Sequence, residues 1–218
     1  MNPTYPDVGS SIDVRHTEAF ESLTATLKSA VATLRAAEVP FVLGGSLAAW
    51  ARGGPEPQND LDFMVKPEDA EAALKALVDA GMRPERPPEE WLFKAWHGDV
   101  LIDLIFCPSG LEMTDEVFER ADTISVLAVA TPVMAIDDVL ATKLMALDEH
   151  SLDYTSLLAI ARAVREQVDW ASLRARTSSS PYAQAFFTLV ERLEIAPTGT
   201  PRAAASPASR VRVISNGA

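Results

Sequence analysis

The feature that most constrains the fold of this chain is an aspartate inside an otherwise apolar strand. Asp103 interrupts the run Leu101-Ile102-Asp103-Leu104-Ile105, and an Asp60-Leu61-Asp62 segment leads into a second apolar run, Phe63-Met64-Val65. Because side chains alternate between the two faces of a strand, Asp60 and Asp62 share one face. A buried carboxylate is costly unless it is paired or bound to a metal ion. The chain must therefore fold so that these acids meet compensating positive charge.

A divalent cation would supply that charge. Three carboxylates that converge in one sheet would repel each other, and a bound cation removes the repulsion. Carboxylate ligands completed by water and phosphate oxygens suit Mg²⁺, with Mn²⁺ as the alternative. We therefore expect Asp60, Asp62 and Asp103 to be metal ligands. Two such ions can stabilise the attacking and leaving oxygens of an in-line displacement.

A glycine-rich turn, Gly44-Gly45-Ser46, separates the short apolar segment 41–43 from a predicted helix at 47–52. Glycine permits close backbone approach, and the start of a helix offers free N–H groups and the positive end of its dipole to phosphates. Ser46 can donate its hydroxyl or cap the helix. Such a turn is usually only a turn, so its interest lies in its combination with the three aspartates.

The hydrophobic pattern predicts an α/β (α+β) fold with a small mixed sheet flanked by helices. Residues 1–15 are predicted to be irregular. Strands are predicted at 41–43, 60–65, 91–96, 100–106 and 123–130, with a hairpin turn at 97–99. Helices are predicted at 17–38, 66–80, 136–147, 153–168, 169–177 and 181–193. We expect an α/β core over 1–130, a helical subdomain over 131–196 and a disordered tail over 197–218.

Charge is unevenly distributed along the 218 residues, whose net charge is −12. Residues 154–218 contain eight arginines and four acids, a net of +4, so residues 1–153 carry −16. An acidic protein is a poor generic nucleic-acid binder, although an arginine-bearing face could still bind RNA. The alternative is a solvated helix surface.

Features outside the acidic residues indicate the compartment. The single cysteine, Cys107, cannot form an internal disulfide, which predicts a reducing cytoplasm. No apolar run reaches the ~20 residues that a membrane helix needs, and the first residues do not resemble a secretory signal. We therefore expect a cytoplasmic protein without a membrane partner.

In this order, Gly44-Gly45-Ser46, Asp60-Leu61-Asp62 and Asp103 in a later strand resemble the nucleotidyltransferase superfamily. The second half is similar to the branch that contains the AbiEii-type and MenT-type toxin nucleotidyltransferases. That similarity rests on residues 137–147, which include Lys143, and on Asp153, and the resemblance as a whole covers about residues 38–195.

The resemblance implies that an acceptor hydroxyl attacks the α-phosphorus of a nucleoside triphosphate and releases pyrophosphate. It implies that Asp60 and Asp62 ligate Mg²⁺ and that Asp103 is a third ligand or the base for the acceptor hydroxyl. The turn residues Gly44, Gly45 and Ser46 would hold the β- and γ-phosphates. Lys143 would contact the nucleotide phosphates, and Asp153 would position Lys143 or the acceptor.

Three functions compete at this point. The first is nucleotide transfer to RNA, with tRNA as the expected acceptor, by a toxin whose partner is a cognate antitoxin protein. The second is transfer to a small molecule, as in antibiotic-modifying relatives, or to a protein hydroxyl, and an acidic front half would attract a cationic drug. The third is a non-catalytic nucleotide- or partner-binding module, against which the presence of all three acids argues.

Trp91, Phe93 and Trp96 could stack on a base or fill the sheet's apolar face, and Lys94 is a candidate for binding phosphate.

Overall fold

The computed structural model of the protein describes residues 8–57 and 60–197. Its helices are α1 Val8–Ala36, α2 Gly45–Ala51, α3 Ala70–Asp79, α4 Asp115–Glu119, α5 Ile136–Met145, α6 Tyr154–Val164, α7 Trp170–Arg176 and α8 Pro181–Arg192, and a 3₁₀ turn at Pro67–Asp69 precedes α3. Its strands are β1 Val42–Leu43, β2 Asp60–Met64, β3 Arg83–Glu85, β4 Leu92–His97, β5 Val100–Ile105, β6 Asp122–Val126 and β7 Val129–Val133.

The strands form one mixed sheet in the order β3-β4-β5-β2-β1-β7-β6. The central pair β5–β2 is parallel, as is β1–β7, and the other neighbouring pairs are antiparallel. The predicted α/β fold with a small mixed sheet flanked by helices is therefore confirmed. The parallel pairing of β2 with β5 matters most for function, because these two strands carry the three aspartates.

The two faces of the sheet carry different side chains. Helices α1 and α3 contact each other and the strands β2, β4 and β5. In β2 and β5 the apolar side chains that alternate with the aspartates are fully buried, among them Leu61, Phe63, Ile102 and Leu104. The aspartates themselves are half-buried. The strand alternation thus separates an apolar core face from a charged face.

Helix α5 joins the helical second half to the sheet half. It contacts α2 on one side and α6, α7 and α8 on the other. Within it the fully buried Asp138 binds two arginines, Arg120 after α4 and Arg176 at the end of α7, at 3.0 and 2.6 Å. This buried ion pair network fastens three separate helices together. The proposed boundary at residue 130 falls within β7 and stays a prediction.

Several short elements differ from the sequence-based expectation. Helix α1 begins at Val8, so the prediction of irregular structure is wrong for residues 8–15. The strand predicted over 123–130 is instead a hairpin, β6–β7, whose turn residues Leu127 and Ala128 have φ of 48° and 62°. Such turns usually contain glycine or asparagine, so nothing in the local sequence indicates this one.

Two further expectations concern the ends of the chain and the membrane. The tail predicted over 197–218 lies outside the described residues except for Pro197. Among the helices that the structure describes, none combines the length and the apolar character needed to cross a membrane.

Candidate active site

The pairing of β2 with β5 places the aspartates side by side on the charged face. Asp62 lies directly opposite Asp103 in the parallel register, and Asp60, two residues earlier in β2, lies opposite Leu101. Neighbouring strands are about 4.8 Å apart, so the carboxylates of Asp62 and Asp103 act on each other at short range. The structure therefore brings together three acids that are up to 43 residues apart in the chain.

Asp62 occupies the most unfavourable position for a negative charge. Burial, with the neighbouring Asp60 charge as the next cause, raises the pKa of Asp62 from 3.8 to about 7. Asp103 also raises the pKa, whereas Lys143 and Lys94 lower it. Lys143, half-buried on α5, therefore lies close enough to Asp62 to stabilise its ionised form.

Asp60 contributes a buried carboxylate oxygen to the site. Its Oδ1 is buried and has no hydrogen-bond partner within residues 8–57 and 60–197. A buried carboxylate oxygen without a partner carries a desolvation penalty of about 1–3 kcal/mol or more. A ligand bond to a divalent cation would remove that penalty, so Asp60 and Asp62 fit a cation site by the chemistry of their donors.

Asp103 is already paired. The Lys94 ammonium on β4 donates to Asp103 Oδ1 at 2.8 Å, and the two side chains are only 23% and 14% exposed. Burial raises the pKa of Asp103, and the hydrogen bond and charge of Lys94 oppose that rise. The local sequence pattern did not indicate this pair, which follows from the observed antiparallel register in which Lys94 of β4 lies opposite Asp103 of β5.

The three acids do not form a ready-made ligand set. In the part of the chain that the structure describes, no group of three or more His, Cys, Asp or Glu side chains is arranged to hold a metal ion. The pairing of Asp103 with Lys94 gives one physical reason, because an ammonium group engages one of the carboxylates. The assignment of Asp60, Asp62 and Asp103 as joint metal ligands stays a prediction.

The glycine turn packs directly against Asp62. Gly45 has φ +60°, and a Cβ atom there would lie 2.5 Å from Asp62 Cγ. The amide of Gly44 donates to the Asp62 carbonyl oxygen at 2.8 Å. Both the positive φ and the lack of room require glycine at position 45. The turn, with Ser46 next to it at the start of α2, therefore borders the carboxylate that is hardest to ionise.

Asp153 has a structural task. It lies just before α6, where its exposed carboxylate accepts hydrogen bonds from the amides of Thr155 and Ser156 at 2.9 and 3.4 Å. Hydrogen bonds from Ser156 and Thr155 lower the pKa of Asp153. These contacts are those of a helix N-cap. A role for Asp153 in positioning Lys143 or an acceptor stays a prediction.

Beyond Lys94 the charged face continues to the edge strand. Trp96 lies opposite Leu101 in β5 and opposite Arg83 in β3, and its indole N–H donates to Glu85 at 2.8 Å. The Arg83 guanidinium stacks on the Trp96 ring at 5.4 Å. Glu85, opposite Lys94, is near enough to raise the pKa of Asp103. Sequence reasoning had not singled out Glu85.

Comparisons with known proteins bear on the family and the fold of the chain. A family model described as "Uncharacterised nucleotidyltransferase" matches residues 15–193. No protein of curated function matches the chain. The crystal structure of ANT(2″)-Ia in complex with adenylyl-2″-tobramycin has a TM-score of 0.57 and 15% identity, over 76% of this chain and 97% of that chain. The solution structure of the antibiotic-resistance factor ANT(2″)-Ia has a TM-score of 0.55 and 13% identity, over 78% and 96%.

At these identities the likeness to solved structures concerns the fold. The family model, in contrast, spans most of the chain, including the glycine turn, the three aspartates and Lys143. The chain therefore belongs to this family of uncharacterised nucleotidyltransferases and is a nucleotidyltransferase enzyme.

Proposed function

We propose that the protein transfers a nucleoside monophosphate from a nucleoside triphosphate to a hydroxyl of a small cationic acceptor, with a divalent cation held by Asp60 and Asp62. Two observations carry this proposal: the pKa of Asp62 is raised, and the buried Oδ1 of Asp60 has no hydrogen-bond partner among the residues that the structure describes. A bound Mg²⁺ or Mn²⁺ ion would supply Lewis-acid stabilisation of charge on the phosphate oxygens.

The chain's own residues have distinct tasks in this proposal. The turn Gly44-Gly45-Ser46 contacts the β- and γ-phosphates through its backbone and the Ser46 hydroxyl. Lys143 neutralises phosphate charge beside Asp62. Asp103 takes the proton from the acceptor hydroxyl, with Lys94 holding its carboxylate in place. Transfers of this type need positioning and charge stabilisation rather than covalent chemistry by the protein.

Charge supports a small cationic acceptor. Residues 1–153 carry −16, and Glu85 adds a carboxylate to the face that bears Asp103. An acidic surface attracts cations and raises their local concentration. The ANT(2″)-Ia crystal structure, which shares the fold, contains adenylyl-2″-tobramycin. A hydroxylated polyamine is therefore the acceptor class that we test first, ahead of a protein hydroxyl.

Ion pairs of the arginines weigh against RNA as the acceptor. Among the arginines expected to form an RNA-binding face, Arg165 pairs with Glu166, Arg174 with Glu191 and Arg176 with Asp138. Paired guanidinium groups are less available to phosphate, whose neutralisation dominates RNA affinity. Transfer to tRNA by a toxin of the AbiEii or MenT type, with an antitoxin partner, is the alternative that the experiment below distinguishes.

The test is nucleotide incorporation. Purified protein and Mg²⁺ are incubated with each α-labelled nucleoside triphosphate and with tobramycin or total RNA, and an Asp60→Asn/Asp62→Asn double variant is the control. Label on the polyamine that is absent from the control supports the proposal. Label on RNA would replace it with RNA modification. If no fraction is labelled while the protein binds nucleotide with Mg²⁺, the proposal of a polyamine acceptor fails.

A further inference from the structure

The ion pair between Lys94 and Asp103 joins the site to a strand on which none of the three site aspartates lies. Lys94 lies on β4, one strand beyond β5, and the antiparallel register places it directly opposite Asp103. Its Nζ lies 2.8 Å from Asp103 Oδ1. Because both side chains are mostly shielded from solvent, the attraction between the two charges is screened less than in a surface ion pair.

The pair changes the charge balance of the whole cluster. Asp60, Asp62 and Asp103 would together carry three negative charges, and the Lys94 ammonium compensates one of them directly at Asp103. Lys94 also acts on Asp62, although more weakly than Lys143 does. Within the described residues, no three acidic or metal-binding side chains are arranged as a metal-ligand set.

We propose that Lys94 is a built-in counter-ion that occupies the third carboxylate and thereby weakens divalent-cation binding at Asp60 and Asp62. Lys94 is thus a positioning residue, since it acts through Asp103. In this arrangement the Lys94 ammonium fixes the Asp103 carboxylate where it can accept the proton of the acceptor hydroxyl. The same contact keeps Asp103 from becoming a ligand of the cation. The inference rests on the proposed function, because it concerns the same cation site.

The consequence is that removing the ammonium group should tighten cation binding. In the Lys94→Met variant, whose unbranched side chain is one atom shorter and uncharged, Asp103 becomes free to join the other two carboxylates. We expect Mn²⁺ to bind about tenfold more tightly, because the affinity of a site for a divalent cation rises with the number of carboxylate ligands. In Lys94→Arg the charge remains, and the affinity should stay within about threefold of the wild type.

Two further variants test the route and the specificity of the effect. If Lys94 acts by occupying Asp103, then Lys94→Met should change the affinity by threefold or less in an Asp103→Asn background, as in a double-mutant cycle. Lys75→Met is the matched control, because it removes the same charge from an exposed pair with Asp79 on α3. It should leave Mn²⁺ affinity unchanged.

The measurement is binding of Mn²⁺ alone, followed by electron paramagnetic resonance of the free ion at mildly alkaline pH. Circular dichroism checks that each variant is folded. Tighter binding in Lys94→Met that disappears in the Asp103→Asn background supports the inference. Unchanged or weaker binding in Lys94→Met overturns it, and so does a tenfold effect that persists without the Asp103 carboxylate.

The wild type and the Asp60→Asn/Asp62→Asn variant separate this inference from the proposed function. If these two proteins bind Mn²⁺ equally, the cation site itself is wrong and both proposals fall. If the double variant loses binding while Lys94→Met binds as the wild type does, only the role of Lys94 is wrong.

Discussion

Because its pKa is raised in the folded state, Asp62 should make the cation-free protein less stable as pH rises. The pKa of Asp62 is about 7 in the folded protein and 3.8 without its surroundings, so from about pH 4 to about pH 7 the folded state keeps a proton that the unfolded state has released. Stability falls with pH wherever the folded state binds more protons. At 1.36 kcal/mol per pKa unit, this one group would lower the unfolding free energy by at most about 4 kcal/mol across that range.

Urea unfolding followed by circular dichroism, with EDTA present, measures this effect at a series of pH values. An Asp62→Asn variant has a side chain of the same shape that cannot titrate there, so the difference between variant and wild type isolates Asp62 from the other groups. We expect the variant to gain stability relative to the wild type as pH rises. Added Mg²⁺ should restore the wild type above about pH 7, because a cation favours the ionised carboxylate. Parallel pH curves for the two proteins would refute this reasoning.

Three further predictions concern other positions. Gly45→Ala should lower the free energy of unfolding in urea by about 2 kcal/mol or more and should weaken Mn²⁺ binding, because the added Cβ overlaps the Asp62 side chain. Gly53→Ala is the control: Gly53 has φ +97° but open space around it, so this change should cost only the backbone strain. Equal losses in the two variants would show that the overlap does not matter. Asp138→Ala should cost about 2–3 kcal/mol because it removes the fully buried carboxylate that two partly exposed arginines bind, against less than about 1 kcal/mol for Asp115→Ala in a more exposed ion pair. Asp153→Ala should cost about 1 kcal/mol through the lost cap, and Asp153→Ser should restore it. If product formation stays low in the serine variant, the carboxylate has a catalytic role as well.

The strand positions of the aspartates followed from local pattern alone. Alternation along β2 predicted that Asp60 and Asp62 share one face, and the apolar neighbours of all three acids predicted that their charge would need compensation. The helices of the second half were predicted within a few residues of their observed ends, because their apolar periodicity and their caps lie within single segments. The β6–β7 hairpin was missed because Leu127 and Ala128 adopt a turn that their side chains do not favour.

Contacts across the fold could not be predicted in the same way. The sequence singled out Lys94 as a phosphate candidate, whereas the structure pairs it with Asp103. It did not distinguish Asp138 from its neighbour Asp137, although only Asp138 is fully buried between two arginines. Each of these contacts joins residues from different elements, so it depends on how the elements pack.

The sequence by itself thus determined the fold class, the glycine turn and the shared face of Asp60 and Asp62, because periodicity and turn chemistry act between neighbours along the chain. Only the tertiary structure decided the electrostatics of the site. Parallel pairing places Asp62 against Asp103, the packed turn at Gly45 crowds the Asp62 carboxylate, and burial leaves one Asp60 oxygen without a partner in the described residues. A carboxylate's pKa and partners depend on distance and solvent access in three dimensions, which strand register and packing set.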